Sequence, residues 1–517
     1  MRRLSFCCER GSALLAVLAI LFALSLIGLA SFRATDDEMA MTANMTGRTR
    51  AFLAAEAGLA RTDYILRANP NMTDADSLLQ RINADAALPN SHFQVTMDTV
   101  LPVRQVISTG NSEQGSAAIR VLYRYGFYPV NIWNNAIFAG HGQDGVSIRG
   151  NVGVHGSVHI LGDGEPFQDS NGNGQWDKGE PFQDANHDGS YDAPLEPGDA
   201  ALDMTGTATI SNNYSGMPAE LASRLPALPT VTFGGETVST LNAEVRIQHG
   251  HVVLDGNAKV GQPDVTGGTP AVKETMDGVY VTDGFQGSAA SSAVYADNGF
   301  ANPYDLEGSP VTMPNLDDPY TDKSGTYYPT YMQYLKSNAL VIKGDLEIRR
   351  GGVKGNLSNG RGSISLDNKG NLTISGIVYV QGKITITGDN TGQPLLYDGK
   401  GTLVAEDDVL IDNNILSKGT FPTDDALGVI SYKQMYIGSD DSQMKLMGAF
   451  YAQEEVINAK QTQLAGTIVS NWFGMKQVPD IYQVPELVRN LPPGMPGSDD
   501  VNIYSWRQVP RSWMELD

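Results

Sequence analysis

Cysteine is nearly absent from this sequence. The 517 residues include two cysteines, Cys7 and Cys8, which are adjacent near the N-terminus. This excludes a disulfide framework and a cysteine-ligated zinc site. Clusters of Lys and Arg are also lacking, and 36 basic against 58 acidic residues give a formal charge of −22. Because nucleic-acid phosphates require clustered cations, we expect no nucleic acid among the partners.

The N-terminal segment contains a long apolar run. Residues 1–11 (MRRLSFCCERG) are basic, and residues 12–32 contain no charged residue. As a helix, 21 residues span about 31 Å, the thickness of a bilayer's hydrocarbon core. A secretory signal would have a shorter apolar core and a small-residue cleavage site. The sequence therefore predicts a retained, single-pass membrane helix with a cytoplasmic N-terminus.

The predicted helix continues beyond the apolar run to Arg67. No proline interrupts residues 33–67, and Asn69-Pro70 ends the helix. Met45, Phe52, Leu59 and Leu66 recur every seven residues and predict one apolar face that packs on a partner. A membrane anchor followed by a separate helix is the alternative.

The N-terminal motifs resemble a known family. A basic leader ends in Gly11, the apolar run follows, and Arg50 to Leu59 read R-A-F-L-A-A-E-A-G-L. This arrangement resembles the type 4 fimbrial biogenesis protein PilX and related minor pilins. The resemblance implies that prepilin peptidase cleaves after Gly11 and methylates Ser12. It also implies that the helix leaves the inner membrane and packs against other pilin subunits in a pilus at the cell surface.

One position departs from the family's pattern. Major pilins carry Glu five residues into the mature chain, where this sequence has Ala16. Some minor pilins and the K-type pseudopilin of type II secretion share this departure. The resemblance therefore implies a minor pilin with a tip, assembly or adhesion role, with a K-like pseudopilin as the alternative.

The rest of the chain is predicted to be rich in β-strands. A short helix over 75–88 and three strands within 92–127 fit a small αβ region over 68–130, and the resemblance implies a long helix packed on an antiparallel sheet. From 131, short β-rich runs separated by Gly, Asn and Asp recur about every 20–25 residues, which predicts a parallel β-helix or solenoid. A β-sandwich is the alternative architecture. The predicted fold class is α+β.

The predicted organisation has six parts. They are a leader (1–11), the pilin-type helix (12–67), the small αβ region (68–130), a β-rich region (131–335) with an insert at 163–196, a β-helix-like region (336–490), and a C-terminal tail with a strand (491–517). The proline- and tyrosine-rich stretch 302–331 is predicted to be a long loop.

The insert contains an internal repeat typical of calcium loops. Residues 164–177 (GEPFQDSNGNGQWD) and 179–192 (GEPFQDANHDGSYD) repeat with a period of 15, and the first copy has EF-hand ligand spacing. The predicted ligands of the first loop are Asp169, Asn171, Asn173, Gln175 through its carbonyl, Asp177 and Glu180. Those of the second are Asp184, Asn186, Asp188, Ser190, Asp192 and Glu196, although its twelfth position is Leu195. We expect structural Ca²⁺ without flanking EF-hand helices.

Signals for catalysis are weak, and we predict no enzyme. His155 with His159, and His249 with His251, lack an adjacent carboxylate at metal spacing, and nucleophile and phosphate-loop motifs are missing. Glu406, Asp407, Asp408 and Asp412 are typical of solvated turns. A membrane-anchored, polysaccharide-binding or polysaccharide-cleaving β-helix is a further alternative, and a surface receptor or glycan remains a candidate partner.

Overall fold

A computed structural model gives the fold of most of the chain. It describes residues 9–68, 75–84, 86–97, 103–124, 131–145, 147–185, 189–233, 235–264, 271–290, 292–300, 302–306, 311–322, 324–349, 356–388, 393–438, 444–459, 461–475, 479–497 and 502–508. The chain divides into two compact units. The small unit comprises residues 1–126 and 501–517, and the large unit comprises residues 127–500.

The small unit is a long helix packed on an antiparallel sheet. Its elements are α1 (Glu9–Ala68), α2 (Ala75–Asn83), β1 (Ala87–Leu88), β2 (Ser91–Met97), β3 (Val103–Ser112) and β4 (Gly115–Arg124). One continuous helix thus covers the range where the alternative placed two. The last strand of the chain, Asn502–Gln508, pairs antiparallel with β4, so the large unit is inserted between two neighbouring strands of this sheet.

Small residues bring α1 close to the sheet. Ala51, Ala54 and Ala55 are buried. A Cβ atom on Gly58 would collide with the hydroxyl of Ser108, and one on Gly110 would collide with the carbonyl oxygen of Ala51. The absence of side chains at these two glycines therefore sets the spacing between helix and sheet.

The large unit is built mostly from short strands. Its first half contains β5 (Ile137–Gln143), β6 (Ile148–Gly150), β7 (Gly153–His155), β8 (Val158–Ile160), β9 (Ala200–Gly206), β10 (Thr209–Ser211), α3 (Ala219–Ala222), β11 (Thr230–Phe233), β12 (Glu236–Ser239), β13 (Glu244–Ile247), β14 (His251–Leu254), β15 (Lys259–Val260), β16 (Gly278–Val281), β17 (Phe285–Gln286), β18 (Tyr320–Thr321), β19 (Tyr327–Tyr328) and α4 (Tyr331–Ser337).

The second half has longer strands. It contains β20 (Ala339–Lys343), β21 (Leu346–Ile348), β22 (Asn356–Ser358), β23 (Gly362–Leu366), β24 (Asn371–Gln381), β25 (Ile384–Thr387), β26 (Leu395–Asp398), β27 (Lys400–Ala405), β28 (Val409–Asp412), β29 (Ile415–Ser417), β30 (Ala426–Ser431), β31 (Met435–Ile437), β32 (Met444–Asn458), β33 (Thr462–Met475), β34 (Asp480–Tyr482) and a 3-10 helix (Pro485–Arg489), before β35 (Asn502–Gln508) of the small unit.

Most of these strands form three long series of parallel pairs, and β6, β9, β14 and β17 form a separate four-stranded parallel sheet. The first runs β20-β24-β27-β30-β32-β33-β5-β8-β13-β16. The second runs β21-β25-β28-β31-β32-β33-β5. The third runs β26-β29-β32-β33-β34-β7-β10-β15. Regions 131–335 and 336–490, which the sequence analysis separates, therefore belong to one continuous set of strands.

The first series pairs strands from the two ends of the large unit's sequence. β33, near its C-terminal end, pairs with β5, its first strand, with Ile468 opposite Ile137. The indole Nε1 of Trp133 also donates to the carbonyl oxygen of Pro496 (2.7 Å). The ends of the series, β16 and β20, lie in the middle of the sequence, and residues 282–338 connect them.

Both faces of the central strands are buried. Phe450 and Tyr451 are neighbours on β32, so their side chains point to opposite faces, yet both are 0% exposed. The connecting segment covers the second face, because Tyr451 donates to Pro314 O (2.6 Å) and Tyr304 lies 2.8 Å from Nε2 of His159. The predicted loop 302–331 thus contains β18 and β19 and packs against the parallel strands.

Two other segments cover the remaining outer faces. Residues 214–228 include Tyr214, whose hydroxyl donates to Gln483 O (2.6 Å), and Arg224, whose carbonyl accepts from Phe421 N (2.8 Å). Residues 484–497 include Pro493, whose carbonyl accepts from the Thr402 hydroxyl (2.6 Å). Segments of the same unit therefore cover the apolar outer surface around Gln483, Phe421 and Thr402.

Candidate functional site

The N-terminal half of α1 exposes an apolar surface. The large apolar side chains from Val17 to Phe32 are 51–74% exposed. Among the described residues, α1 is the one helix long and apolar enough to cross a membrane. The predicted cleavage site, Gly11–Ser12, and Ala16 lie on the first turns of this helix.

The predicted apolar stripe of α1 is divided between two environments. Leu59 is buried against the sheet and Phe52 is half-buried, whereas Met41 and Met45 are 66% and 63% exposed. Leu66 lies where side chains are not described. The C-terminal part of the stripe therefore packs on the protein's own sheet, which begins to cover α1 near Gly47, where Gln114 approaches. Packing of the exposed part on a partner stays a prediction.

The first predicted calcium loop is closed on itself by hydrogen bonds. The Asp169 carboxylate accepts the backbone N–H groups of Gly172 (2.6 Å), Asn173 (3.2 Å) and Gly174 (2.7 Å). These bonds, led by that from Gly174, lower the pKa of Asp169. The Nδ2 atoms of Asn171 and Asn173 lie 2.6 and 2.9 Å from Asp177 Oδ2.

Glu180 completes this first loop. Its two carboxylate oxygens accept the N–H groups of Ser170 (2.7 Å) and Asp177 (2.9 Å). The structure therefore brings the side chains of Asp169, Asn171, Asn173, Asp177 and Glu180 together around one short loop, as their spacing predicts. Gln175 is exposed, and its N–H donates to Asn173 Oδ1 (2.8 Å).

Glu165, which the sequence analysis did not single out, has the equivalent position at the second loop. Its carboxylate oxygens accept the N–H groups of Ala185 (2.7 Å) and Asp192 (3.0 Å), and its side chain is 4% exposed. Burial raises its pKa. For the predicted residue Glu196, the contact is a different one: its backbone N–H donates to the carboxylate of Asp199 (2.9 Å). The sequence signal was present, because Glu165 and Glu180 occupy the same place in the two GEPFQD segments.

The two loops are related by reciprocal contacts. Gln168 N donates to Pro181 O and Gln183 N donates to Pro166 O, both at 2.8 Å, and Phe167 forms an antiparallel bridge with Phe182. Trp176 stacks on Tyr191 with ring centroids 4.7 Å apart. Each repeat therefore supplies the glutamate beside one loop: Glu180 beside the first and Glu165 beside the second.

Parts of the second loop lie outside the described residues, namely Asn186 and Asp188. Asp184 Oδ2 accepts Gly189 N (3.0 Å), which matches the bond from Gly174 to Asp169. Ser190 is exposed. Within the described residues, no group of three or more His, Cys, Asp or Glu is placed to hold a metal, so a cation at the first loop would depend on asparagine and main-chain oxygens as well.

The predicted non-catalytic histidines are in structural contacts. His155 stacks on Tyr482 (4.5 Å) and lies 2.9 Å from Asn213 O. His251 lies 3.2 Å from Pro197 O, and His249 lies 3.2 Å from the amide of Gln248. These contacts hold each ring against an aromatic ring, a main-chain carbonyl oxygen or a side-chain amide.

Three of the four acidic turn residues, Glu406, Asp407 and Asp408, are paired with lysines. Glu406 accepts from Lys336 (2.8 Å) and from the Tyr379 hydroxyl (2.7 Å). Asp407 pairs with Lys433 (2.9 Å), and Asp408 lies 3.7 Å from Lys383. Asp412 is the last residue of β28 and is half-buried. Carboxylates neutralised individually in this way do not form the coupled pair that glycoside cleavage uses.

Comparison with protein families identifies the N-terminal segment. Residues 10–60 match the family described as PilX N-terminal. The N-terminal region has a PilX-type pilin sequence. This confirms the resemblance for that region, and the match covers 51 of the 517 residues.

Comparison with other proteins adds one structure. The crystal structure of the competence-associated pilin ComZ from Thermus thermophilus is similar over 90% of this chain and 98% of that chain, with 16% identity and a TM-score of 0.45. A TM-score of this size carries no functional conclusion. No curated protein matches the chain.

Proposed function

We propose that this chain is a minor pilin of a type IV pilus. Prepilin peptidase cleaves after Gly11 and methylates Ser12, and α1 then leaves the inner membrane and packs against other pilin subunits. The observation that carries this proposal is the exposed apolar half of α1, within a segment that matches PilX-type pilins. An exposed helix surface of this size needs lipid or other helices around it. The role is structural and not enzymatic.

Mass spectrometry of the N-terminus tests this proposal. We expect a chain that begins at N-methylated Ser12 in sheared surface filaments. Gly11→Val should leave the precursor uncleaved in the membrane, whereas Gly28→Ala is the matched control, because a Cβ at Gly28 meets no atom within 4 Å. An intact Met1, or a cut beyond Phe32, in the wild-type protein would contradict the proposal.

The position in the filament is proposed to be the tip, in an assembly or adhesion role. Ala16 lacks the carboxylate that would pair with a neighbour's N-terminus, and the large unit inserted in the pilin sheet is difficult to accommodate at every subunit. Immunogold labelling should place the large unit at filament ends. Labelling along the shaft would exclude the tip.

A K-like pseudopilin is the second candidate, favoured by the same Ala16. It predicts the processed N-terminus in the cell envelope and none in sheared filaments. The two candidates are therefore separated by the fraction in which the methylated Ser12 peptide is found.

The three parallel series are proposed to be the faces of a β-helix, in which consecutive strands such as β26, β27 and β28 form one coil and stack on β29, β30 and β31 of the next. Parallel pairing in successive registers supports this interpretation over a β-sandwich, whose sheets are antiparallel. Thr385 and Leu410 are neighbours in register. In a Cys7→Ser/Cys8→Ser background, Thr385→Cys with Leu410→Cys should form a disulfide, and Thr385→Cys with Tyr436→Cys should not. A disulfide in the Thr385→Cys/Tyr436→Cys variant and none in the Thr385→Cys/Leu410→Cys variant would contradict the β-helix.

We also propose that the repeat at 163–196 binds structural Ca²⁺. The residues of the first loop fit a hard cation, since Asp169, Asp177 and Glu180 supply carboxylates, and a 180° rotation of the Asn171 and Asn173 amides presents their oxygens in place of nitrogens. We further propose that Glu165 replaces Glu196 as the glutamate of the second loop.

Thermal unfolding in Ca²⁺ and in EDTA tests this assignment. Ca²⁺ should raise the melting temperature and the protease resistance of the repeat. Glu180→Gln and Glu165→Gln should each reduce the gain, while Glu196→Gln, the matched control, should not. No effect of EDTA on the wild-type protein would exclude calcium, and an effect of Glu196→Gln alone would restore the original ligand set.

A further inference from the structure

One stretch of the large unit has a net charge opposite in sign to that of the whole chain. Residues 336–383 contain eight Lys and Arg against three Asp and Glu, a formal charge of +5, so the rest of the chain carries −27. Its described residues include β20 to β24, at the first end of the first parallel series, while Arg350 and Lys354 lie outside the described residues. At the other end, residues 261–305 contain one Lys against six Asp and Glu, a formal charge of −5.

The two ends also differ in how their outermost strand is covered. At β16, Asn298 Oδ1 accepts Val279 N (2.9 Å), its Nδ2 donates to Val279 O (3.1 Å), and Asn302 O accepts Val281 N (2.8 Å). Among the described residues, β20 pairs its main chain with β24 alone, and one side-chain bond, from Asn359 Nδ2 to Ala339 O (2.9 Å), reaches it from elsewhere. The edge at β20 is therefore open over the described residues.

The side chains of β20 are also incompletely covered. Leu340 and Ile342 lie opposite Val378 and Val380 of β24, which are 0% exposed. Leu340 and Ile342 themselves are half-buried, and Val341 is 38% exposed. An open edge strand with apolar side chains is a template for a further strand.

Two cations flank this edge. Lys343, the last residue of β20, is exposed and has no carboxylate partner in the described part of the chain. Arg361 is exposed and donates to Ser337 O, two residues before β20, and Gly362 beside it approaches Leu340 N. Lys336 and Lys383, in contrast, are paired with Glu406 and Asp408.

From these observations we propose that β20 binds an extended, acidic polypeptide segment of a partner protein. The segment adds a strand to the edge, and its carboxylates face Lys343 and Arg361. Main-chain donors and acceptors along an edge select a polypeptide over a glycan or a nucleic acid. The local cations select an acidic sequence, and the overall charge of −22 disfavours long polyanions such as DNA. This interaction is independent of the route by which α1 enters a filament.

The test uses the full chain in detergent micelles and a fluorescein-labelled peptide of four Val-Glu repeats. A peptide of four Val-Lys repeats, with the same strand pattern and the opposite charge, is the probe control. We expect saturable binding of the Val-Glu peptide and at least tenfold weaker binding of the Val-Lys peptide. Amide hydrogen exchange of residues 339–343 should slow when the Val-Glu peptide is bound.

Charge reversal at the edge should remove the interaction. Lys343→Glu with Arg361→Glu should weaken binding of the Val-Glu peptide at least tenfold. Arg149→Glu is the matched control, because Arg149 is an exposed cation on β6. Both variants change exposed side chains, and an unchanged melting temperature verifies their folding.

Several results would overturn the proposal. These are no binding of the Val-Glu peptide, equal binding by the charge-reversal variant, or unchanged hydrogen exchange of residues 339–343. Binding of a DNA duplex or of anionic lipid vesicles without binding of the peptide would assign the basic end to another class of ligand. Self-association that the charge-reversal variant abolishes, without peptide binding, would assign the edge to a second copy of the chain.

Discussion

The two units of the molecule bury their apolar side chains to very different extents. In the small unit, Leu18 and Phe22 on α1 are 54% and 68% exposed, whereas in the large unit Phe450 and Tyr451, on opposite faces of one strand, are fully buried. The large unit covers its strands with its own segments, and the first half of α1 has no such cover in the described residues. The large unit therefore buries its apolar core with its own residues, whereas the first half of α1 leaves an apolar surface of the kind that lipid or other helices cover.

The largest expected effect concerns the folding of the large unit in isolation. A fragment of residues 131–497 should be soluble without detergent and unfold cooperatively, because β33 pairs with β5 and the unit contains its own covering segments. A fragment of residues 131–338 should aggregate, because it lacks β20 to β34. Circular dichroism and size-exclusion chromatography measure both outcomes. A soluble, folded 131–338 fragment would show that the two halves are separate domains.

Acid should destabilise the large unit strongly. Burial lowers the pKa of His141 and His155 to about 4 and that of His159 to about 3, from 6.5. The unfolded state therefore binds protons first, so the free energy of unfolding should fall as the pH drops below about 6.5 and level off near the folded pKa values. At about 1.4 kcal/mol per pKa unit, the upper limit is roughly 3 kcal/mol for each of His141 and His155 and roughly 5 kcal/mol for His159.

Urea unfolding of the 131–497 fragment at pH 7, 5.5 and 4.5 measures this slope. His155→Gln should make the slope shallower, because it removes one of the three buried imidazoles. A stability that does not vary between pH 7 and 4.5 would contradict the burial of these rings.

A smaller effect is expected at the contact between α1 and its sheet. Gly58→Val should destabilise the small unit by about 1–3 kcal/mol, because its side chain would collide with Ser108 and Phe93. Gly28→Ala should be neutral or stabilise the helix by about 1 kcal/mol, since no atom lies within 4 Å of the added Cβ. Thermal unfolding in detergent distinguishes them, and equal effects would mean that α1 does not approach the sheet closely.

The sequence predicted those features that depend on local patterns. The apolar run and the Asn69-Pro70 stop predict α1, and the D-x-N-x-N-G spacing predicts which side chains converge at the first loop. Features that depend on distant residues were missed. Glu165 contacts Ala185 and Asp192, and EF-hand spacing alone directs attention to residues after the second loop.

The pairing of strands that are distant in the sequence was also not evident from local patterns. Strand alternation predicts β-rich runs but contains no information that β33 is followed in space by β5. The same holds for Asn502–Gln508, which pairs with β4 across the whole large unit. Similarly, the acidic overall charge concealed the basic residues at 336–383, which become a distinct surface only when β20 to β24 are placed at one end of a series.

The insertion of the large unit between β4 and β35 has a mechanical consequence. Any force on the large unit is divided between two covalent tethers, because its chain leaves the small unit after β4 and returns to it at β35. A single proteolytic cut within residues 127–500 leaves each resulting piece joined to a strand of the small unit. The large unit is therefore retained after damage that would release a domain attached by one linker.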